Sequence, residues 1–286
     1  MRQELLTFSC MTKPNLYRLE RMMPSILPYV DKAIIVLGKK EEATINYLKS
    51  LGPKIVMAYR PWDDNFAKQW DFHLQFVKEG WDLVCDDDEL PSEKMLQSLD
   101  SYINNSNYGK NHCCVEFRCN PISEGQDMGP VNYYRQIFFR YQPGMHYKGG
   151  PKTGCHQYLV GYQKGSRIIR ADETYYHIKS LKEEYENASR NYFIYGIWLH
   201  GSSDGQQREE WQELRKVLAY TNPEVKTWPE FNEVLLKGSI HNDLKVWMRT
   251  WFAKYREHAH YNEMRALPTY YFKYLHPEEQ IEGHNF

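Results

Sequence analysis

The first hundred residues alternate between short apolar runs and longer amphipathic stretches. Leu5-Leu6-Thr7-Phe8-Ser9 predicts a first strand, and the fully apolar Ala33-Ile34-Ile35-Val36-Leu37 a second, closed by Gly38. Between them Leu16, Leu19, Met23 and Ile26 recur at helical spacing, with Asn15 placed to cap a helix from about 16 to 27. A helix over 41–51 puts Ile45, Leu48 and Leu51 on one face and is broken by Gly52-Pro53. Lys54–Tyr59 predicts a third strand. A helix over 65–78 buries Phe66, Trp70, Leu74 and Val77, and Trp81–Cys85 is a fourth strand ahead of a helix at 92–103. Apolar strands separated by helices imply an α/β fold: a mostly parallel sheet with helices on both faces, joined by right-handed crossovers.

After residue 104 the pattern changes. Residues 113–118, 133–140, 167–170 and 174–178 predict strands, separated by breakers such as Pro143-Gly144 and Gly149-Gly150-Pro151. From Ser180 the periodicity is helical, over about 180–200, 205–220, 228–237 and 240–260. The expected organisation is a domain over 1–180, with halves of about 1–103 and 104–180, then an α-helical C-terminal extension over 181–286.

The fourth strand carries the most informative chemistry. Leu83-Val84-Cys85 runs directly into Asp86-Asp87-Asp88-Glu89. The acids then sit at the carboxyl end of a strand, where open α/β sheets bind ligands. Alternation along an extended chain would send Asp86 and Asp88 one way and Asp87 the other. Two carboxylates on one side form a hard-oxygen site suited to Mg²⁺ or Mn²⁺, above all when a substrate phosphate completes the shell. The plainer reading is that acids precede a helix because they suit its amino terminus, with Ser92 as cap.

Bulk properties exclude some partners. Lys and Arg total 36 against 37 Asp and Glu, so no global charge drives the chain toward nucleic acid. The spacing of Cys10, Cys85, Cys113, Cys114, Cys119 and Cys155 forms no disulfide framework, which fits a reducing, cytoplasmic setting. His112 with Cys113, Cys114 and Cys119 lacks the paired C-x-x-C of a zinc site. No signal peptide is expected, and no apolar run reaches the roughly 18 residues that span a bilayer. Trp247, Trp251, Phe252 and Tyr255 alternate with Lys245, Arg249, Lys254 and Arg256, so a helix over 240–260 either packs on the domain or makes peripheral membrane contact. Neither G-x-G-x-x-G nor G-x-x-x-x-G-K occurs.

Several blocks together resemble family 2 glycosyltransferases of the lipopolysaccharide-type branch. Residues 5–37 resemble the family's opening strand, turn and helix. Trp62-Asp63-Asp64-Asn65-Phe66-Ala67 is similar to its W-x-D-D-F-A block, and Asp86-Asp87-Asp88-Glu89 falls where the branch carries D-A-D-E, the D-x-D metal motif. Tyr134–Arg140 resembles the R-L-F-R strand, His146 through Gln157 the F-x-G-x-V-H-E segment, and Tyr176-His177-Ile178 the later histidine strand. The likeness covers roughly 1–195. It departs at Val36-Leu37-Gly38-Lys39-Lys40, where the family has V-D-x-G-S, at Gln69-Trp70-Asp71 in place of A-R-N, and at Gln157 in place of the glutamate of V-H-E.

The resemblance implies a GT-A-type fold, a nucleotide-diphosphate sugar donor, a divalent cation (Mn²⁺ or Mg²⁺) and inversion at the anomeric carbon, with a glycan or glycolipid acceptor. Carried onto this chain, Asp86 and Asp88 would hold the metal with His177. Thr7, Ser9, Asp63, Asp64, Asp86, Asp87 and His156 would contact the nucleotide-sugar, although Asp63 and Asp64 are equally placed to cap the helix at Asn65. Arg135, Lys148 and Lys152 would bind the diphosphate or lie solvated. Transfer also needs a carboxylate base at the acceptor hydroxyl. Glu116, Glu124, Asp127, Asp172 and Glu173 qualify by position, and Asp127, in a polar loop between strands, is taken as the candidate. The competing readings are a nucleotidyltransferase on a similar sheet and a non-catalytic carbohydrate-binding protein.

Overall fold

The computed structural model describes residues 2–63, 65–105, 112–123, 125–127, 129–149 and 157–180, with isolated positions between 230 and 250. The chain divides into two compact units, Met1–Ile178 and Lys179–Phe286.

In the first unit, β1 (Leu6–Thr12) lies between β2 (Lys32–Leu37) and β4 (Trp81–Asp86), with β3 (Ile55–Tyr59) outside β2. All these pairings are parallel. The helices between them are α1 (Leu16–Ile26), α2 (Glu42–Ser50) and α3 (Phe66–Leu74), and α4 (Glu93–Asn104) follows. The chain steps outward from β1 to β2 to β3, then returns to the far side of β1 to form β4. Right-handed crossovers therefore place α1 and α2 on one face and α3 on the other. The packing agrees. Leu19, Met22, Met23 and Ile26 of α1, Leu48 of α2 and Met95 and Leu99 of α4 share one core with Phe8, Cys10 and Leu83. Ala67, Trp70 and Leu74 of α3 share the opposite core with Met11, Ile34, Val36 and Val84.

β1 runs on to Thr12, three residues beyond the expected strand, and all seven of its residues are buried. It is flanked by strands on both sides, so even its polar residues are enclosed. Ser9 Oγ donates to Asp82 Oδ1 at 2.8 Å, and His73 Nε2 lies 2.8 Å from Asp82 Oδ2, with all three residues wholly buried. This network pins α3 to the sheet. The helix starts of α1 and α4 follow the expected caps at Asn15 and Ser92, and α3 is capped by Asn65; these side chains accept from Arg18, Met95 and Lys68 backbone N–H groups. Asn65, and not Asp63, therefore caps α3.

The expected parallel sheet is one half of a nine-stranded mixed sheet of order β3-β2-β1-β4-β8-β6-β11-β5. The other half comprises β5 (Glu89–Pro91), β6 (His112–Ser123), β7 (Gln126–Asp127), β8 (Tyr134–Arg140) and β11 (Arg167–Lys179). β8 pairs antiparallel with both β4 and β6, and β7 pairs off this path with β6. The junction is heavily apolar: Trp81 stacks on Phe138 with centroids 4.7 Å apart, and both are fully buried. Each such ring contributes roughly 1.5–3 kcal/mol by leaving water. β9 (His146–Lys148) and β10 (Tyr158–Val160) form a separate two-stranded sheet. The two strands expected at 167–170 and 174–178 are a single β11. Ala171 faces the core while Asp172 faces solvent, so the polar residues there continue the alternation instead of breaking it.

In the second unit Glu230, Glu233, Asn242, Lys245, Val246, Arg249 and Thr250 are helical, and Lys237 pairs with Glu233. Most of the expected helical extension over 181–286, including Trp247, Trp251, Phe252 and Tyr255, lies outside the described residues. Among the described residues no helix is long and apolar enough to cross a membrane.

Candidate functional site

The chain leaves β1 toward β2 on one side, and β4 lies on the other. The carboxyl ends of β1 and β4 thus flank a topological switch point, the crevice in which open α/β sheets take ligands. β1 ends there at Thr12 and β4 at Asp86, with Met11 and Asp86 in register. The acid run occupies this crevice.

It does so as a turn. Asp86 ends β4, Asp87 and Asp88 form the turn, and Glu89 opens β5. Glu89 Oε2 accepts from the Asp86 N–H at 2.9 Å. β5 pairs antiparallel with β11, placing His177 opposite Glu89, and the Ile178 N–H donates to the Asp88 carbonyl at 2.8 Å.

Because the chain turns, the carboxylates fan out toward different strands. Asp87 accepts from Thr12 Oγ1 and from Arg18 Nη1, each at 2.5 Å. Asp88 Oδ2 lies 3.3 Å from His177 Nε2 and 4.0 Å from Arg18 Nη1. Asp86 Oδ2 lies 3.3 Å from Arg135 Nη1, which also pairs with Glu89 Oε1. This corrects the expectation that Asp86 and Asp88 project together to one side. Alternation holds only along an extended chain. Among the described residues no group of three or more His, Cys, Asp or Glu side chains converges as a metal site.

The electrostatics follow from burial within a ring of charge. Burial, reinforced by Glu89 and opposed by Arg135, pushes the Asp86 carboxyl up to about 7. Burial also raises Asp87, against the pull of Arg18 and the Thr12 hydrogen bond. For Arg135, burial works against the charge, but Glu89 and Asp86 more than offset it, so the guanidinium is held firmly protonated.

A divalent cation fits this donor set in part. Asp88 and His177 present a carboxylate oxygen and an imidazole nitrogen 3.3 Å apart; the oxygen suits Mn²⁺ or Mg²⁺, whereas imidazole is the more usual ligand of softer transition metals. Asp86 is engaged by Arg135 through Oδ2.

Other expected residues stand apart. Thr7 and Ser9 are 5% and 0% exposed, and the Ser9 hydroxyl is committed to Asp82. Neither side chain is open to a nucleotide, because β1 is a central strand; Thr12, at its tip, is the residue that reaches the crevice. Asp63, in the loop after β3, is held by Arg60 through bonds of 3.0 and 2.7 Å, which lower its carboxyl. Asp64 and His156 lie outside the described residues, as do Glu124 and Lys152. Asp127 is exposed on β7 and accepts from Gly129 N and Asn120 Nδ2 at 2.8 and 3.3 Å, bonds within its own hairpin. Glu116 accepts from Arg170, and Glu173 from Tyr102. Cys10, Cys85, Cys113, Cys114 and Cys119 are buried free thiols.

The opposite wall of the crevice is basic and aromatic. Lys13 Nζ lies 5.4 Å from the Trp62 ring and Lys40 Nζ 5.0 Å from that of Tyr59. The loops that carry them are tied by Gly38 N–H to Thr12 O and Trp62 N–H to Gly38 O.

Sequence reasoning missed Thr12, Arg18 and Glu89. Arg18 did leave a signal. A cation in the first turn of a helix opposes the helix dipole, so it implies a nearby anion.

No family model and no curated protein matches the sequence. Among solved structures the chain is similar to S. aureus TarS, at 10% identity and a TM-score of 0.41 over 93% of this chain, and spans 55% of that chain. It is similar also to S. aureus TarS 1-349, at 9% identity and a TM-score of 0.42 over 97% of this chain and 93% of that one.

Proposed function

We propose that this protein is a glycosyltransferase that moves a sugar from a nucleotide-diphosphate donor to a hydroxyl of a glycan or glycolipid, with inversion and with a divalent cation. The observation that carries this reading is the acid turn at the switch point, with Asp88 beside His177 and a basic wall across from it. The blocks around Trp62 and Asp86 that resemble family 2 glycosyltransferases meet at this crevice. A diphosphate leaving group develops negative charge, and fixed positive charge there lowers the barrier. Asp88 and His177 would hold a cation that supplies part of that charge. Arg18 fixes Asp87 and stands 4.0 Å from Asp88, keeping the turn in shape. Asp127 remains the candidate base.

A thermal-shift screen of UDP-, GDP-, dTDP- and CMP-sugars with and without Mn²⁺ tests the reading. A donor at about a hundredfold excess over its Kd should raise the melting temperature by about 5–10 °C. The shift should require Mn²⁺ and vanish in Asp88→Ala. A donor shift that is equal without metal and survives Asp88→Ala would remove the acid turn from the site. Release of pyrophosphate instead of nucleoside diphosphate on turnover would mark a nucleotidyltransferase.

A further inference from the structure

The antiparallel half of the sheet turns a polar, ordered face outward. Val115 and Phe117 of β6 and Ala171 of β11 lie in the core shared with α1 and α4. Alternation turns Glu116 and Arg170 the other way, and there Ile168, Arg170 and Asp172 are all exposed. The side chains on this face are linked. The hydroxyl of Tyr162, in the loop after β10, donates to Gln136 Oε1 at 3.3 Å. Gln136 Nε2 donates to Glu116 Oε1 at 3.4 Å, and Arg170 Nε donates to Glu116 Oε2 at 2.9 Å. The Arg170 guanidinium carbon also lies 5.0 Å from the centre of the Tyr134 ring. The Arg170 side chain holds this pose while 70% exposed, against 16% for Glu116. An exposed ion pair returns little stability, and fixing an arginine costs rotamer freedom. Stability therefore does not account for the order, whereas a ligand that needs preorganised groups does.

The chemistry of the strip selects that ligand. The Arg170 charge is met by Glu116, so the pair offers no net charge to an anion. It offers carboxylate oxygens beside N–H donors, which match neighbouring sugar hydroxyls, each a donor and an acceptor at once. The half-buried rings of Tyr134 and Tyr162 add apolar surface beside the pair. On β8, Arg135 stands between Tyr134 and Gln136 and holds Asp86 and Glu89, so the strip begins one residue from the acid turn. We propose that this strip is the acceptor track: an uncharged oligosaccharide lies across β8, β6 and β11, gripped through neighbouring hydroxyls by Glu116 and Arg170 and flanked by Tyr134 and Tyr162. This rests on the reading that the acceptor is a glycan, and it narrows that glycan to one whose bound units carry no charge. Glu116 and Arg170 position the acceptor, and the transfer itself takes place at the acid turn.

The test titrates the full ¹⁵N-labelled chain with hexasaccharides of glucose, galactose, mannose and N-acetylglucosamine and follows the backbone amide shifts. At least one sugar should move amides of 115–118, 134–137 and 168–172 together and yield a Kd. Glu116→Gln keeps the shape of the side chain and removes its charge, and it should weaken that Kd about tenfold, as should Arg170→Ala. Both positions face outward, and circular dichroism checks each fold. No binding by any of the four sugars, shifts confined to other strands, or an unchanged Kd in both folded variants overturns the proposal. Shifts of the same amides that grow with protein concentration in the absence of sugar mark a second copy on this face and overturn it as well. A galacturonate hexamer should bind more weakly than the galactose hexamer, and tighter binding overturns the assignment to an uncharged ligand. The donor screen keeps the two levels apart. If a nucleotide-sugar binds and no hexasaccharide moves the strip, the track alone fails. If a hexasaccharide binds the strip and no nucleotide-sugar binds, the transferase reading alone fails and a carbohydrate-binding protein is left.

Discussion

Glu89 Oε2 accepts the Asp86 backbone N–H at 2.9 Å, so the last acid of the run closes the turn that the first one opens. Its other oxygen holds Arg135, and the side chain is 2% exposed. Glu89 is thus a positioning residue. It sets the turn that aims Asp86, Asp87 and Asp88 at different strands, and it keeps a guanidinium among them.

Glu89→Ala should therefore act on stability before chemistry. It leaves the Arg135 guanidinium with Asp86 alone and removes the bond that closes the turn, and losing a hydrogen bond to a charged group costs about 1.5–3 kcal/mol. Glu89→Gln should cost less, because the amide oxygen still accepts one bond. Urea unfolding would read both. A Glu89→Ala protein within about 1 kcal/mol of wild type would show that the turn holds without this side chain.

The Ser9–Asp82–His73 network makes a separate prediction on the other face of the sheet. His73 Nδ1 lies 2.5 Å from the Trp70 carbonyl and Nε2 2.8 Å from Asp82, so both ring nitrogens face acceptors. His73→Ala should destabilise by about 3–5 kcal/mol by leaving Asp82 buried without its partner. In a double-mutant cycle with Asp82→Asn the two losses should be clearly less than additive. Simple additivity would mean that the contact contributes nothing specific.

The parallel half of the sheet was legible because each of its strands is a short apolar run between amphipathic helices. Given the strand order β3-β2-β1-β4 that the structure shows, the crossover rule then places α3 opposite α1 and α2. Pairing across the second half was not legible, because antiparallel partners such as Leu83 and Phe138 are far apart in sequence and nothing local encodes their register. The acid run shows the same divide. Its place at a strand end could be read from Leu83-Val84-Cys85. The direction of each carboxylate could not, because it depends on a three-residue β5 held by β11. Ser9, which the resemblance implied as a nucleotide contact, could not be placed for a related reason: only the tertiary structure makes β1 a central strand and Asp82 the partner of Ser9.

Gly161 and Gly52 separate steric contact from backbone strain. Both have positive φ, at 84° and 95°. A Cβ on Gly161 would lie 2.2 Å from the Gly144 carbonyl oxygen, whereas one on Gly52 meets nothing within 4 Å. Gly52→Ala should cost only the left-handed penalty of roughly 1–2 kcal/mol. Gly161→Ala should cost clearly more and displace the junction of β9 and β10. Thermal melts of the two variants give the comparison, and equal shifts would show that the Gly144–Gly161 approach relaxes freely.

Asp71 supplies the pH-dependent case. Its carboxylate accepts the Tyr147 N–H at 2.5 Å. Burial raises its titration above the usual aspartate range, and the Tyr147 bond only partly opposes this. The folded state therefore holds this proton more tightly than the unfolded chain does. Linkage fixes the sign: the Asp71 contribution is most favourable at low pH and declines as pH rises from the unfolded value toward the raised folded one. Asp71→Asn keeps an acceptor oxygen for Tyr147 and removes the charge. It should match or exceed wild-type stability at pH 7.5, and its advantage should shrink as pH falls toward about 4, where the unfolded carboxyl also takes up its proton. Urea unfolding of both proteins at the two pH values would decide it. An Asn variant that is less stable at pH 7.5, or whose advantage grows as pH falls, would mean that the carboxylate charge is compensated by its surroundings.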